Sequence, residues 1–266
     1  MKFKLLTGVS TTEHPGFKKL EASLKLFNYD YEVLVNPSMD WNWGGWSMFA
    51  EWCRKEMNKP DGYTHVVITD GFDTLALGPM EEVIEGYKKI CPAMDCFVYS
   101  TEKQYFPNSS EDPNFPKKEE YPETPENQRW KFINGGQYMA PVAKLVEMWE
   151  QAEKNINSQH WAHKKFLWFN QDKKVIIDNN CDIFQSVAFT TWEYPDGRIE
   201  GGIHNSLGEF SVVEPEQLWD DTSQTPTYKN GYSNKRLLNN YTKTKAPLAH
   251  GNGRADFQFV YDILGL

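Results

Sequence analysis

Apolar residues fall along this chain in two alternating rhythms. Phe3 to Val9 is a short apolar run closed by Thr and Gly, the mark of a strand. Gly16 to Asn28 then carries Phe17, Leu20, Leu24 and Phe27 at helical spacing. Tyr31 to Val35 reads as a strand that stops at Asn36-Pro37, and Trp46 to Met57 as a helix with Phe49, Trp52, Cys53 and Met57 on one side. His65 to Thr69 is a fully apolar strand ending abruptly at Asp70. A helix over Met80 to Ile90 and a strand over Cys96 to Tyr99 follow. Strands alternating with helices predict an α/β fold with a mostly parallel central sheet covered by helices on both faces. Such sheets bind ligands at the carboxyl ends of their strands, which singles out Asp70.

Beyond residue 100 the rhythm loosens. Five prolines and many acidic residues between Pro107 and Pro125 exclude a regular element and predict a long surface loop, placed to act as a flap. A short strand at Lys131 to Ile133, an Asn134-Gly135-Gly136 turn and a strand at Tyr138 to Ala140 come next. Val142 to Asn155 is an amphipathic helix, and Gln159 to Phe169 is read as another. Strands are expected at Val175 to Ile177, Asp182 to Phe184 and Phe210 to Val213, with a helix at the C-terminus. No repeat and no linker divides the chain, so one domain over residues 1–266 is expected.

Composition narrows the function classes. Hydrophobic residues at 39% and charged residues at 24% suit a sizeable core and exclude wholesale disorder. The net charge of −9 argues against a partner held mainly through nucleic-acid phosphates. Aromatics reach 15%, including 10 Trp, which fits either an aromatic core or a cleft that stacks planar rings and sugars. The four cysteines (Cys53, Cys91, Cys96 and Cys181) show no CxxC spacing, and free thiols in a reducing compartment are expected. No apolar run approaches the ~18 residues of a membrane span, and Met1 to Ser10 has no cleavage site; the expected location is cytoplasmic, with no membrane partner. Without a secretory signal, the glycosylation patterns at Asn108 and Asn240 are read as chance.

Four constellations carry candidate chemistry. Thr69-Asp70-Gly71-Phe72-Asp73 puts two carboxylates three residues apart across a tight turn, where both can face one cation that bridges a nucleotide diphosphate; the same spacing also serves to close a turn or cap a helix. His250-Gly251-Asn252-Gly253 places an imidazole between glycines on a surface loop, able to complete a metal site or to be an incidental turn residue. In Phe132-Ile133-Asn134-Gly135-Gly136 the glycine pair permits unusual backbone angles, so that its amides face a sugar or phosphate, or form a plain hairpin. Asp40-Trp41-Asn42-Trp43-Gly44-Gly45-Trp46 offers indoles for a base or for burial.

Taken in order, TDGFD, YSTEKQYFP, FINGG, DIFQ and HGNG resemble the glycosyltransferase domain of the procollagen lysyl hydroxylases and related procollagen glycosyltransferases, over about Leu5 to Gly253. The resemblance implies a GT-A type fold, a UDP-sugar donor (UDP-glucose or UDP-galactose) and Mn²⁺, with Mg²⁺ as the alternative. It implies metal ligation by Asp70, Asp73 and His250, stacking of uracil on Phe72, and a donor-site Trp at Trp43, with Trp41 the rival placement. Glu102 and Phe106 fall in the family's acceptor-side segment, and Thr11 is a candidate uridine contact. Asn134, Gly135, Gly136, Gly251, Asn252 and Gly253 complete the substrate-binding set. Residues up to about 105 would form the donor half, and residues 106–266 the acceptor side with the last metal ligand.

One departure stands out. Where the family has an acidic run ending in Asp-Gln, this chain has Asn155-Ile156-Asn157-Ser158-Gln159-His160, with Gln159 kept and the acids gone; Asn170-Gln171-Asp172 is a rival match. Glu102 is then the candidate general base of an inverting transfer, with Gln159 beside it as the second catalytic candidate. Candidate acceptors are hydroxylysine of a collagen-like protein, a glycan, or hydroxymethylated pyrimidines in DNA. The last fits Lys164 and Lys165 beyond the lost acids, unless these are a solvated helix face. A non-catalytic UDP-sugar binder and a metal-dependent phosphohydrolase are the competing classes.

Overall fold

The computed structural model describes residues 1–37, 47–103, 105, 119, 121, 123–124, 129–155, 175–187, 190–193, 199–202, 210–213, 235–251 and 258–266. Strand β1 (Phe3–Val9) runs into helix α1 (Pro15–Leu26), which begins where the ring of Pro15 fixes the first helical φ and His14 accepts the Gly16 N–H. Next come β2 (Tyr31–Val35), α2 (Ser47–Met57), β3 (His65–Asp70), β4 (Thr74–Ala76) and α3 (Met80–Ile90). In α3, Glu81 and Glu82 lie in the first turn and Lys88 and Lys89 in the last, each facing the favourable end of the helix dipole. The chain continues through β5 (Phe97–Glu102), β6 (Phe132–Pro141), α4 (Val142–Asn155), β7 (Val175–Ile177) and β8 (Phe184–Ser186). The last elements are β9 (Thr190–Glu193), β10 (Ile199–Gly202), β11 (Phe210–Val213), β12 (Arg236–Asn239), β13 (Leu248–His250) and α5 (Gln258–Leu264).

Six strands form the central sheet in the order β2-β1-β3-β6-β5-β7. β6 alone runs antiparallel to its neighbours; the other pairs are parallel, as the alternation of strands and helices predicts. Side chains of alternate parity serve opposite faces. Leu6, Val66, Ile68, Tyr138 and Ala140 pack against Phe49 and Trp52 of α2 and Leu145 and Trp149 of α4. Leu5, Val67, Val98 and Met139 pack on the other face against Leu20 and Leu24 of α1 and Val83 and Tyr87 of α3. A three-stranded sheet, β4-β13-β8, lies on that second side, and Leu75 and Ala249 share a third apolar cluster with Val260, Ile263 and Leu264 of α5. No helix among the described residues is long and apolar enough to cross a membrane.

Four expectations need correction. Asn134-Gly135-Gly136 is not a turn: it lies inside β6, which pairs with β3 up to Thr69↔Gln137, while on the β5 side the register jumps from Tyr99↔Tyr138 to Ser100↔Asn134. Gly135, Gly136 and Gln137 therefore bulge away from β5, a distortion that glycine tolerates as readily as a turn. His250 is not on a surface loop but ends β13, with 3% of its surface exposed. Cys91 and Cys96 are joined as a disulfide across the short α3–β5 connection, their Cα atoms 6.1 Å apart; Cys53 and Cys181 remain as buried free thiols. The strand expected at Asp182 to Phe184 starts two residues later, because Asp182, Ile183 and Phe184 spend their N–H groups on the Asp178 carboxylate. The helix expected over Gln159 to Phe169 and most of the 107–125 segment lie outside the described residues.

Candidate active site

β3 carries Asp70 to the carboxyl edge of the central sheet, and the chain reverses there within three residues into β4. Gly71 makes the reversal possible: a Cβ at this position would stand 2.2 Å from Val9 Cγ1 and 2.8 Å from the Gly8 carbonyl oxygen. The Thr74 hydroxyl donates to the Asp70 carbonyl and closes the turn. β13 then pairs antiparallel with β4, setting His250 opposite Thr74, and the Gly251 N–H donates to the Asp73 carbonyl at 2.7 Å. On its other side β13 pairs with β8, and the Val187 N–H donates to the His250 carbonyl at 2.9 Å. Two ladders and a tight turn thus converge on one point. His250 Nε2 lies 3.4 Å from Asp70 Oδ2 and 3.5 Å from Asp73 Oδ2.

The imidazole is held from behind by β6. Asn134 Oδ1 accepts from the Gly136 N–H at 2.8 Å, which identifies it as the amide oxygen, and it lies 3.0 Å from His250 Nδ1. An oxygen there only accepts, so Nδ1 carries a proton and Nε2 is the atom turned to the carboxylates. Asn134 Nδ2 donates to Glu102 Oε2 at 3.4 Å, and Glu102 is 7% exposed at the end of β5. Gly136 faces the cluster with bare backbone: an added Cβ would meet His250 Cε1 at 2.2 Å and Asp70 Oδ2 at 2.6 Å.

Electrostatically the cluster is short of positive charge. Burial, with Asp73 adding to it, raises the Asp70 carboxyl above its ordinary value, and His250 only partly opposes this. Burial works against a charged His250, yet Asp73 and Asp70 together raise the imidazole to about 10. Left to themselves the carboxylates draw a proton onto the ring, the response of an anionic pair to whatever cation is at hand. Asp70, Asp73 and His250 offer ligand atoms that all lie within 4.8 Å of one another. Two carboxylate oxygens and one imidazole nitrogen suit a small divalent cation. With metal–ligand distances of ~2.1 Å, neighbouring ligands stand on the order of 3 Å apart, so the observed 3.4 and 3.5 Å spacings need little adjustment.

The positions of the other expected residues differ in what they contact. Phe72, between the two aspartates, is half-buried, and its ring leans on His14 at 4.2 Å between centroids and 36° between planes. His14 was not legible as a site residue; its only signal was a helix cap before Pro15-Gly16. Thr11 is exposed after β1, its hydroxyl accepting the Glu13 N–H at 3.1 Å. Gly135 and Gly251 are buried in the backbone that carries Asn134 and His250. The DIFQ glutamine, Gln185, accepts from Asn239 Nδ2 at 2.8 Å and ties β8 to β12. Trp43 and its rival Trp41, Phe106, Gln159, Asn252 and Gly253 lie outside the described residues, as do Lys164 and Lys165.

Comparison with known proteins adds three findings. Residues 2–194 match the family model described as the PLOD GT domain, a span that holds Asp70, Asp73, Asn134 and Gly136 but not His250. An uncharacterized protein, R699, of Acanthamoeba polyphaga mimivirus is 22% identical over 255 residues; the match takes in 93% of this chain but 45% of that relative, so the chain spans less than half its length. A solved glycosyltransferase involved in glycosylation of the major capsid of PBCV-1 aligns with a TM-score of 0.45 and 9% identity, covering 70% of this chain and 86% of that one.

Proposed function

This chain belongs to the PLOD GT domain family, and on that footing we propose that it moves a hexose from a UDP-sugar to an acceptor hydroxyl with the help of a divalent cation. One observation carries the reading: Asp70, Asp73 and His250 converge at a strand-end edge, with Phe72 and bare glycine backbone beside them. A non-catalytic binder has no need of two carboxylates aimed at one point. A cation held there would offset the negative charge that grows on a departing nucleoside diphosphate.

The chain's own residues account for the rest. Asp70 and Asp73 supply oxygen ligands, and Asn134 keeps the His250 ring turned so that Nε2 completes the set. Phe72 stacks the uracil, with His14 supporting its other face. Gly136 lets Asp70 and His250 close on the bare backbone of β6, where a Cβ would displace both. On the acceptor side we place Glu102, whose carboxylate fixes Asn134 and which an inverting transfer would use to take the proton from the acceptor hydroxyl. Residues up to about 105 serve the donor, and the later part supplies His250 and the acceptor side.

UDP release decides the matter. Mn²⁺-loaded protein is incubated with UDP-glucose or UDP-galactose, crossed with a hydroxylysine-bearing collagen-like peptide, a glycan and hydroxymethylated duplex DNA. Acceptor-stimulated UDP, with the sugar found on that acceptor by mass spectrometry, is the expected result, and the collagen-like peptide is the acceptor expected from the family. UDP-sugar binding without turnover on any acceptor would leave a binding protein in place of a transferase.

A further inference from the structure

Thr7, Thr69 and Gln137 stand side by side on β1, β3 and β6, paired Thr7↔Thr69 and Thr69↔Gln137, and all three are fully buried. They interrupt a face that is apolar one pair further from the edge, at Leu5, Val67 and Met139. The Gln137 amide spans two sheets. Its Nε2 donates to Thr69 Oγ1 at 3.2 Å and to the Ala249 carbonyl at 3.4 Å. A carbonyl only accepts, so the amide cannot be turned round. Oε1 has no partner among the described residues, a desolvation penalty that an apolar side chain would avoid. A residue placed for packing alone would be apolar.

What the amide connects explains its presence. Thr69 precedes Asp70, Ala249 precedes His250, and Gln137 follows Gly136, so each end of the bridge is one residue from a wall of the cation cluster. Asp73 and His250 are already tied by the β4–β13 ladder. Asp70 and His250 are not: their strands belong to different sheets, and no ladder joins β3 or β6 to β13. The bulge in β6 turns Gln137 free of β5 while leaving it paired with β3. We infer that Gln137 is a positioning residue that sets the separation of Asp70 from His250 and so tunes the affinity of the cluster for its cation. The inference rests on the cation reading above.

Gln137→Met keeps the length and removes the bridge. Mn²⁺ binding is titrated by calorimetry and by loss of the free-ion paramagnetic resonance signal, and thermal melting is followed in EDTA. The expected result is a metal-free melting temperature at or above that of the wild type, with Mn²⁺ affinity lowered about 10-fold or more, the effect typical of residues that orient metal ligands. Thr69→Val, which removes only the acceptor on β3, should weaken Mn²⁺ in the same direction, and it decides the question if Gln137→Met does not fold. Wild-type protein that takes up no Mn²⁺ overturns the cation reading and this inference with it. Wild-type uptake matched within twofold by the folded variant overturns this inference alone.

Discussion

Gly136 lies against His250 with no room for a side chain, an added Cβ falling 2.2 Å from Cε1 of the ring. Real Cβ atoms do not approach so closely, so Gly136→Ala must push the imidazole away or tilt β6. Because Asp70 Oδ2 lies 2.6 Å from the same point, neither ligand escapes. Mn²⁺ affinity measured by calorimetry should fall at least ~10-fold, while the circular dichroism of the metal-free protein stays that of the wild type. Undiminished Mn²⁺ binding would place the cation elsewhere.

Asp70 and Asp73 face one point, so the loss of either should cripple transfer. Asp70→Asn and Asp73→Asn should each lower kcat on the order of 10²-fold, if the cation supplies several kcal/mol of leaving-group stabilisation. EDTA should abolish wild-type turnover, and Mn²⁺ should restore it. Either variant working at the wild-type rate in EDTA would take the metal out of the mechanism.

Asn134 sets the tautomer of His250 through the contact at Nδ1. Asn134→Leu keeps comparable bulk but leaves the ring free to put its proton on Nε2. Competition of Mn²⁺ against a fluorescent chelator should show a 10- to 100-fold weaker site. An unchanged constant would mean that the two ladders alone orient the ring.

Phe72 is half-buried beside Asp70 and Asp73, and its ring leans on His14. Phe72→Ala should weaken UDP by roughly 1–3 kcal/mol, the scale of base–aromatic stacking. His14→Ala, which removes only the supporting ring, should cost less. Equal UDP affinity in the wild type and Phe72→Ala, titrated with Mn²⁺ present, would return the ring to a packing role.

Asp178, 2% exposed, accepts N–H groups from Asp182, Ile183 and Phe184, yet burial outweighs these bonds and raises its carboxyl to about 6 from an ordinary 3.8. A group raised by folding lends stability that is complete below its unfolded value and fades as the pH climbs through about 6. Relative to Asp178→Asn, whose side chain does not titrate, wild-type stability should therefore fall by up to about 3 kcal/mol as the pH rises from below 3.8 to just above about 6, at 1.36 kcal/mol per pH unit of separation. Urea unfolding of both proteins across that range reads the difference. A flat difference would mean that the carboxyl keeps its ordinary value in the fold.

Local pattern made much of this molecule legible in the sequence. The helix over Met80–Ile90 and the strands at Val175–Ile177 and Phe210–Val213 match their expected bounds, because apolar period and flanking breakers act within a few residues. Asp70 was recognisable as a strand-end carboxylate for the same reason: His65–Thr69 is too apolar to be anything but a buried strand. Only the fold could decide between a turn and a bulge at Asn134-Gly135-Gly136, since glycine suits both and the outcome depends on whether a partner strand is alongside. His250 looked like a loop residue because β13 is three residues long, too short for a periodic signal, and exists through its pairing with β4 and β8. The same holds for the contacts that complete the cluster. Asn134 reaches His250 across 116 residues and Gln137 reaches Ala249 across 112, and no local preference encodes bonds of that range. Sequence alone singled out Asp70, Asp73 and His250 as candidate ligands and determined the strand that ends at Asp70. Tertiary structure decided which of them meet, because that is set by the packing of one sheet on another.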